Sequence, residues 1–113
     1  MNVNEIVKSL NLEVIVGENL ESKSVKGVYI CDLLSNVMAH GQQDDLWITI
    51  QTHQNILAVA SLLNFSAILL PENLLPDATT IEKAKAQGII ILKSPEGAFN
   101  LAGKLYEMGL RGS

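Results

Sequence analysis

A chain of 113 residues has room for one hydrophobic core and none for a separate catalytic domain beside it. Its net charge is -4 and its eight basic residues are scattered singly, so no stripe of positive charge can follow a phosphate backbone, and nucleic acid is excluded as a partner. The single cysteine excludes an internal disulfide and fits a reducing, cytoplasmic compartment, while Glu5 and Lys8 interrupt the place where a signal peptide needs its apolar run and no segment has the ~20 apolar residues of a membrane span.

Val3, Ile6, Val7 and Leu10 recur at helical spacing, which predicts a short amphipathic helix over residues 2–10. Leu12, Val14 and Val16 then alternate into a strand that Gly17 closes. The charged stretch ENLESKSV reads as a solvated connection. Residues 26–31 are apolar on both faces from Val28 to Cys31, the pattern of a strand inside a sheet covered by helices on each side. Asp32 is placed to cap the helix DLLSNVMAH, with Leu33, Leu34, Val37 and Met38 packing inward and Gly41 at its end. After a polar turn over residues 42–45, in which the adjacent acids Asp44 and Asp45 are solvated, residues 46–50 form the next strand. Thr52 is the next cap, for a helix packing Ile56, Leu57, Ala60 and Leu63 on the sheet.

Residues 66–70 are again a strand without a polar face, ended by Pro71. The connection PENLLPDATT leads to a helix through Ile81, Ala84 and Ala86, stopped by Gly88. Residues 89–92 are the last strand. Ser94 and Pro95 form a cap and first-turn pair for a terminal helix carrying Phe99, Ala102, Leu105 and Tyr106. Successive strand, helix, strand units with short connections predict a three-layer α/β/α domain with a mainly parallel sheet of about four core strands and a more irregular N-terminal part. Residues 1–111 are one domain, and Gly112 and Ser113 read as an expression remnant.

In open α/β sheets ligands collect outside the carboxyl ends of the strands. That rule selects Asp32, Gln51, Thr52, His53, Asn55 and Ser94 as ligand-binding candidates. Capping alone accounts for Asp32, Thr52 and Ser94. Five consecutive polar side chains over residues 51–55 exceed what capping needs, and a helix start favours an anion, so a small anionic metabolite or nucleotide, or a protein partner, is expected there. His53 reads as a proton donor, a switch near neutral pH or a surface residue. His40 and His53 are the only histidines and no HExxH or cysteine cluster accompanies them, so no metal site is expected, nor any cofactor. His40, at a helix end, favours the dipole or faces water. Cys31 reads as a buried, inert thiol. Neither GxxxxGK[ST] nor GxGxxG nor GxSxG occurs.

The runs D-L-L-S-x-V-M-A from Asp32 and W-I-T-I-Q-T-H from Trp47, continued by IEKAKAQGIIILKSPEGAFNLAGKLYEMGL, resemble the small stand-alone DRTGG-domain proteins and the N-terminal domain of the kinase acting on the histidine-containing phosphocarrier protein. The Asp-Arg-Thr-Gly-Gly signature itself is absent from the sequence. The resemblance implies a compact α/β domain of the kind attached to nucleotide-sensing regulatory domains, with no catalytic residue to transfer. Two readings follow. One is a non-catalytic regulatory or interaction domain, self-associated as a dimer. The alternative is a small enzyme or nucleotide-responsive module using His53 as acid or base with Asp32 orienting a group.

Overall fold

The computed structural model describes residues 1–112. Helix α1 (Val3–Leu10) starts where Asn2 Oδ1 accepts the Glu5 amide at 2.9 Å, and ends at Asn11 in the left-handed region. Strand β1 (Glu13–Val16) follows, then a single 3₁₀ turn (Leu20–Ser22) inside the charged connection. Three strand–helix units come next: β2 (Gly27–Ile30) with α2 (Leu34–His40), β3 (Asp45–Ile48) with α3 (Asn55–Leu63), and β4 (Ala67–Leu70) with α4 (Ala78–Gln87). Strand β5 (Ile91–Lys93) and α5 (Ala98–Glu107) complete the chain.

The five strands form one sheet in the order β1-β5-β4-β3-β2. Strands β2 to β5 are parallel neighbours in chain order, and β1 pairs antiparallel with β5. The strand expected before Gly17 is present as β1, and it joins the sheet as a fifth, antiparallel member beside β5. Alternate residues along the strands divide two cores. Leu46, Ile48, Leu69 and Leu92 pack with Val3 and Ile6 of α1 and Leu101 and Leu105 of α5. Trp47, Ile68, Leu70 and Ile91 pack with Val37, Ile56, Ala60 and Ala84 from α2, α3 and α4. The three expected layers are present.

Several placements differ from what the local patterns predict. Strand β2 lies at the sheet edge, and Ile30 is 46% exposed. Its outer side meets the chain end instead: the Val28 amide donates to the Arg111 carbonyl at 3.0 Å, and Gly112 bridges Val28 in parallel. Ser113 lies outside the described residues. On α2 only Val37 is fully buried, while Leu33 and Met38 are exposed; on α5 Leu101 and Leu105 face the sheet, and Phe99 and Tyr106 face outward. Asp45, expected in a solvated turn, is buried at the start of β3, where its Oδ2 accepts the Gln42 amide at 2.9 Å. Its neighbour Asp44 sits 3.4 Å from Lys26.

Candidate functional site

Trp47 organises the carboxyl end of the β2–β3 pair. It is fully buried, packs against Phe65 with ring centroids 5.5 Å apart, and donates its indole N–H to the Cys31 carbonyl at 2.9 Å. That bond holds the chain where it leaves β2. The next residue, Asp32, uses one oxygen, Oδ1, to accept the Thr49 hydroxyl and the Ile50 amide, both at 2.9 Å. Gln51 closes the loop in both directions: its side-chain amide donates to the Asp32 carbonyl at 3.0 Å, and its backbone amide donates to Thr49 Oγ1 at 3.2 Å. Asp32 therefore caps the end of β3, across the sheet, and not its own helix; α2 begins at Leu34 with no side-chain cap.

Two further caps are corrected. The Thr52 carbonyl, not its hydroxyl, is the group engaged: it accepts the Thr80 hydroxyl at 3.0 Å and the Asp77 amide at 3.2 Å, tying the start of α3 to the start of α4. The local turn is closed by His53, whose Nδ1 accepts the Asn55 amide at 3.2 Å. Ser94 is buried and its hydroxyl accepts the Glu96 amide at 3.1 Å, while its carbonyl accepts the Asn73 amide at 2.7 Å. It fixes the turn between β5 and α5, whose helix starts four residues later at Ala98 behind Gly97.

Asp32, Thr49 and Gln51 thus form one hydrogen-bonded group, Thr52 belongs to the α3–α4 junction, and Ser94 stands apart at the end of β5. His53 and Asn55 are exposed beside the first of these. Local sequence reasoning misses Thr49 and Trp47 as site-building residues. The signal is present in their spacing, two residues apart and so on one face of the strand.

Nearby, the half-buried Cys31 thiol donates to the Leu33 carbonyl at 3.8 Å and receives the Asn36 side-chain amide at 3.4 Å, so it is neither fully buried nor unpartnered. Asn36 also donates to the Tyr29 hydroxyl at 2.8 Å. Loss of solvent, followed by the neighbouring Cys31, pushes the Tyr29 phenol above its ordinary value. The protonated Nδ1 tautomer of His40 donates to the Asn36 carbonyl, 3.2 Å away, at the exposed end of α2. Among the described residues no group of three or more His, Cys, Asp or Glu is placed to hold a metal ion, and no helix is long and apolar enough to cross a membrane.

Neither of two clefts on the surface includes any of the six candidate residues. One, of about 520 Å³, lies where β1 ends and β5 begins, at the opposite end of the sheet; the other, of about 130 Å³, lies between β2 and α5. The winding explains why neither of these clefts lies at the carboxyl edge. Strands β2 to β5 follow one another without reversal, and α2, α3 and α4 all pack on one face. The crevice that a reversal of strand order opens in doubly wound sheets is therefore not formed among them. Around this edge Ile30, Leu33, Ile50 and Leu75 are all exposed.

The fold and edge define a small, mainly parallel α/β module whose polar strand-end residues are largely spent on holding the strand ends together. The chain belongs to the DRTGG domain family, whose model matches residues 5–108. This corrects the weight placed on the missing pentapeptide: the domain is present although the five-residue run is not, because the family pattern extends over the whole succession of strands, turns and helices. The expected kinship with the phosphocarrier-protein kinase is corrected as well. One similar solved structure is that of the CBS and DRTGG domains of the regulatory region of Clostridium perfringens pyrophosphatase, complexed with its activator diadenosine tetraphosphate. The two share 20% identity with a TM-score of 0.72, over 91% of this chain and 45% of that one. This chain spans less than half the length of that structure. No match is found among curated proteins.

Proposed function

We propose that this chain is a non-catalytic regulatory or interaction domain that presents the carboxyl edge of its sheet to a small nucleotide-like ligand or partner. The observation that carries this reading is how the edge spends its reactive groups. Asp32 Oδ1 is committed to Thr49 and Ile50, the Ser94 hydroxyl to Glu96, and His53 Nδ1 to Asn55, so these atoms hold strand ends and turns together and do not converge on one substrate position. What stays available is a rim of the exposed His53 and Asn55 among exposed apolar side chains, the composition of a contact surface.

The likeness to a regulatory region crystallised with a dinucleotide activator supports a nucleotide as the ligand class. The apolar side chains offer area to a flat base, and the amides and imidazole offer hydrogen bonds to its edge. The alternative, with His53 as acid or base beside Asp32, needs both groups around one concave site. The clefts that the surface does form take in neither residue. Self-association as a dimer belongs to the same proposal, supported by the outward-facing Phe99 and Tyr106 on α5.

Calorimetric titration with adenine nucleotides, dinucleotides and simple metabolite anions tests the reading, with His53→Ala as control. Saturable binding without turnover, weakened in the control, is the expected result. Hydrolysis or group transfer on any of these compounds would remove the non-catalytic reading. Binding indifferent to His53→Ala would remove the edge as the place of contact.

A further inference from the structure

The larger cleft, of about 520 Å³, has no part in the edge described above. Its volume falls within the roughly 300–1,000 Å³ of small-molecule sites. Ile15, Val16 and Ile89 give it apolar walls, and Lys23 and Lys85 stand on its lining. The two lysines come from separate segments, one following the 3₁₀ turn and one from the last turn of α4. Gly17 lets that turn press close to the sheet: a Cβ there would lie 3.0 Å from a Leu20 methyl and 3.2 Å from the Ile90 side chain. On the other side Gly88 ends α4 with no atom within 4 Å of where its Cβ would stand.

Charge selects the occupant. The ion pairs among the described residues use Lys26, Lys93 and Lys104, so Lys23 and Lys85 have no carboxylate within 4.0 Å. Lys85 alone is explained by the negative end of α4. That explanation does not reach Lys23, which meets the same cleft from another segment. Glu18, also on the lining, leaves one net positive charge in a chain whose total is -4. The Glu18 and Asn19 amides donate to no acceptor among the described residues, which adds hydrogen-bond donors for an anion.

We infer that this cleft is a second ligand site, for a small organic anion with an apolar or flat body, such as a phosphate ester of mononucleotide size. The body lies against Ile15, Val16 and Ile89, and the anionic group meets Lys23 and Lys85. The inference is independent of the carboxyl edge, and its test separates the two.

Amide chemical shifts of the full chain are followed by nuclear magnetic resonance during titration with adenosine monophosphate, adenosine and inorganic phosphate. Saturable shifts at Gly17, Glu18, Asn19, Gly88 and Ile89 with adenosine monophosphate, and weaker ones with adenosine, are expected. In the Lys23→Ala, Lys85→Ala double variant the dissociation constant rises by about tenfold or more, a loss of roughly 1.4 kcal/mol. Restoring one charge as Lys85→Arg recovers part of it, the shifts at Gly17, Glu18, Asn19, Gly88 and Ile89 persist in His53→Ala whatever that variant does to shifts at residues 51–55, and circular dichroism shows each variant folded. The inference is overturned if none of the three probes shifts these amides, or if the double lysine variant binds as the parent does. Shifts confined to residues 51–55 and lost in His53→Ala would also overturn it while supporting the edge.

Discussion

Asp32 accepts two hydrogen bonds on one oxygen at an exposed strand end, and both donors belong to the segment that leaves the neighbouring strand. Replacing it with Ala leaves the Thr49 hydroxyl, on a residue 1% exposed, without its acceptor, and frees the Ile50 amide. A cost of about 1–2 kcal/mol is expected, reduced from the full value of a charged hydrogen bond because water reaches the site. Asp32→Asn keeps an oxygen at Oδ1 and should lose less than half as much. Urea denaturation of both variants measures the difference, and an Ala variant as stable as the parent would show that this network contributes nothing. The same neighbourhood shows why local chemistry misassigns its caps. Thr52 has the right residue type and position, but its carbonyl is claimed by Thr80 from another helix, a partner 28 positions away that no local window contains. The polar run over residues 51–55 was legible as unusual; which of its atoms are spent was not.

At the scale of elements, helical periodicity located α2 and α5, but the apolar sets read from it, Leu33, Leu34, Val37 and Met38 on one and Phe99, Ala102, Leu105 and Tyr106 on the other, are only partly the buried ones. Ala98, Leu101, Leu105 and Met108 form one stripe of α5, and Phe99, Ala102 and Tyr106 another. Contact with the sheet decides between them, and the aromatic stripe loses. Strand β2 illustrates the same limit, since apolar residues on both faces suit an interior strand, yet the order of strands puts it at the edge. The glycines divide by conformation. Gly88 closes α4 at φ 70, so Gly88→Ala should destabilise by about 1–2 kcal/mol, the strain of a side chain in the left-handed region. Gly103 lies in α5 with no atom within 4 Å of where an alanine methyl would stand, and Gly103→Ala should stabilise by about 0.5–1 kcal/mol. Thermal unfolding should therefore shift in opposite directions for two substitutions of the same chemistry. Equal shifts would contradict the geometry of one position or the other.

For the whole molecule, the exposed Phe99, at 89%, and Tyr106, at 60%, lie on the layer of α5, and Tyr106 also lines the small cleft between α5 and β2. A twofold dimer through this region is the expected state. Light scattering after size exclusion should give twice 12.3 kDa at high concentration, and Phe99→Glu should return the single-chain mass. A monomer throughout a dilution series would end the proposal. The order of apolar runs, turns and caps in the sequence determined by itself that the chain is a three-layer α/β domain, because burial on both faces of parallel strands and the helical period are written into neighbouring residues. Only the tertiary structure decided that β1 joins β5, that β2 is an edge, that the strands wind without reversal, and that a lysine-lined cleft opens at the end of the sheet opposite the carboxyl edge. Those outcomes depend on contacts between segments far apart in the chain, such as Lys23 with Lys85 across one cleft, and no local pattern of residues encodes a distance between them.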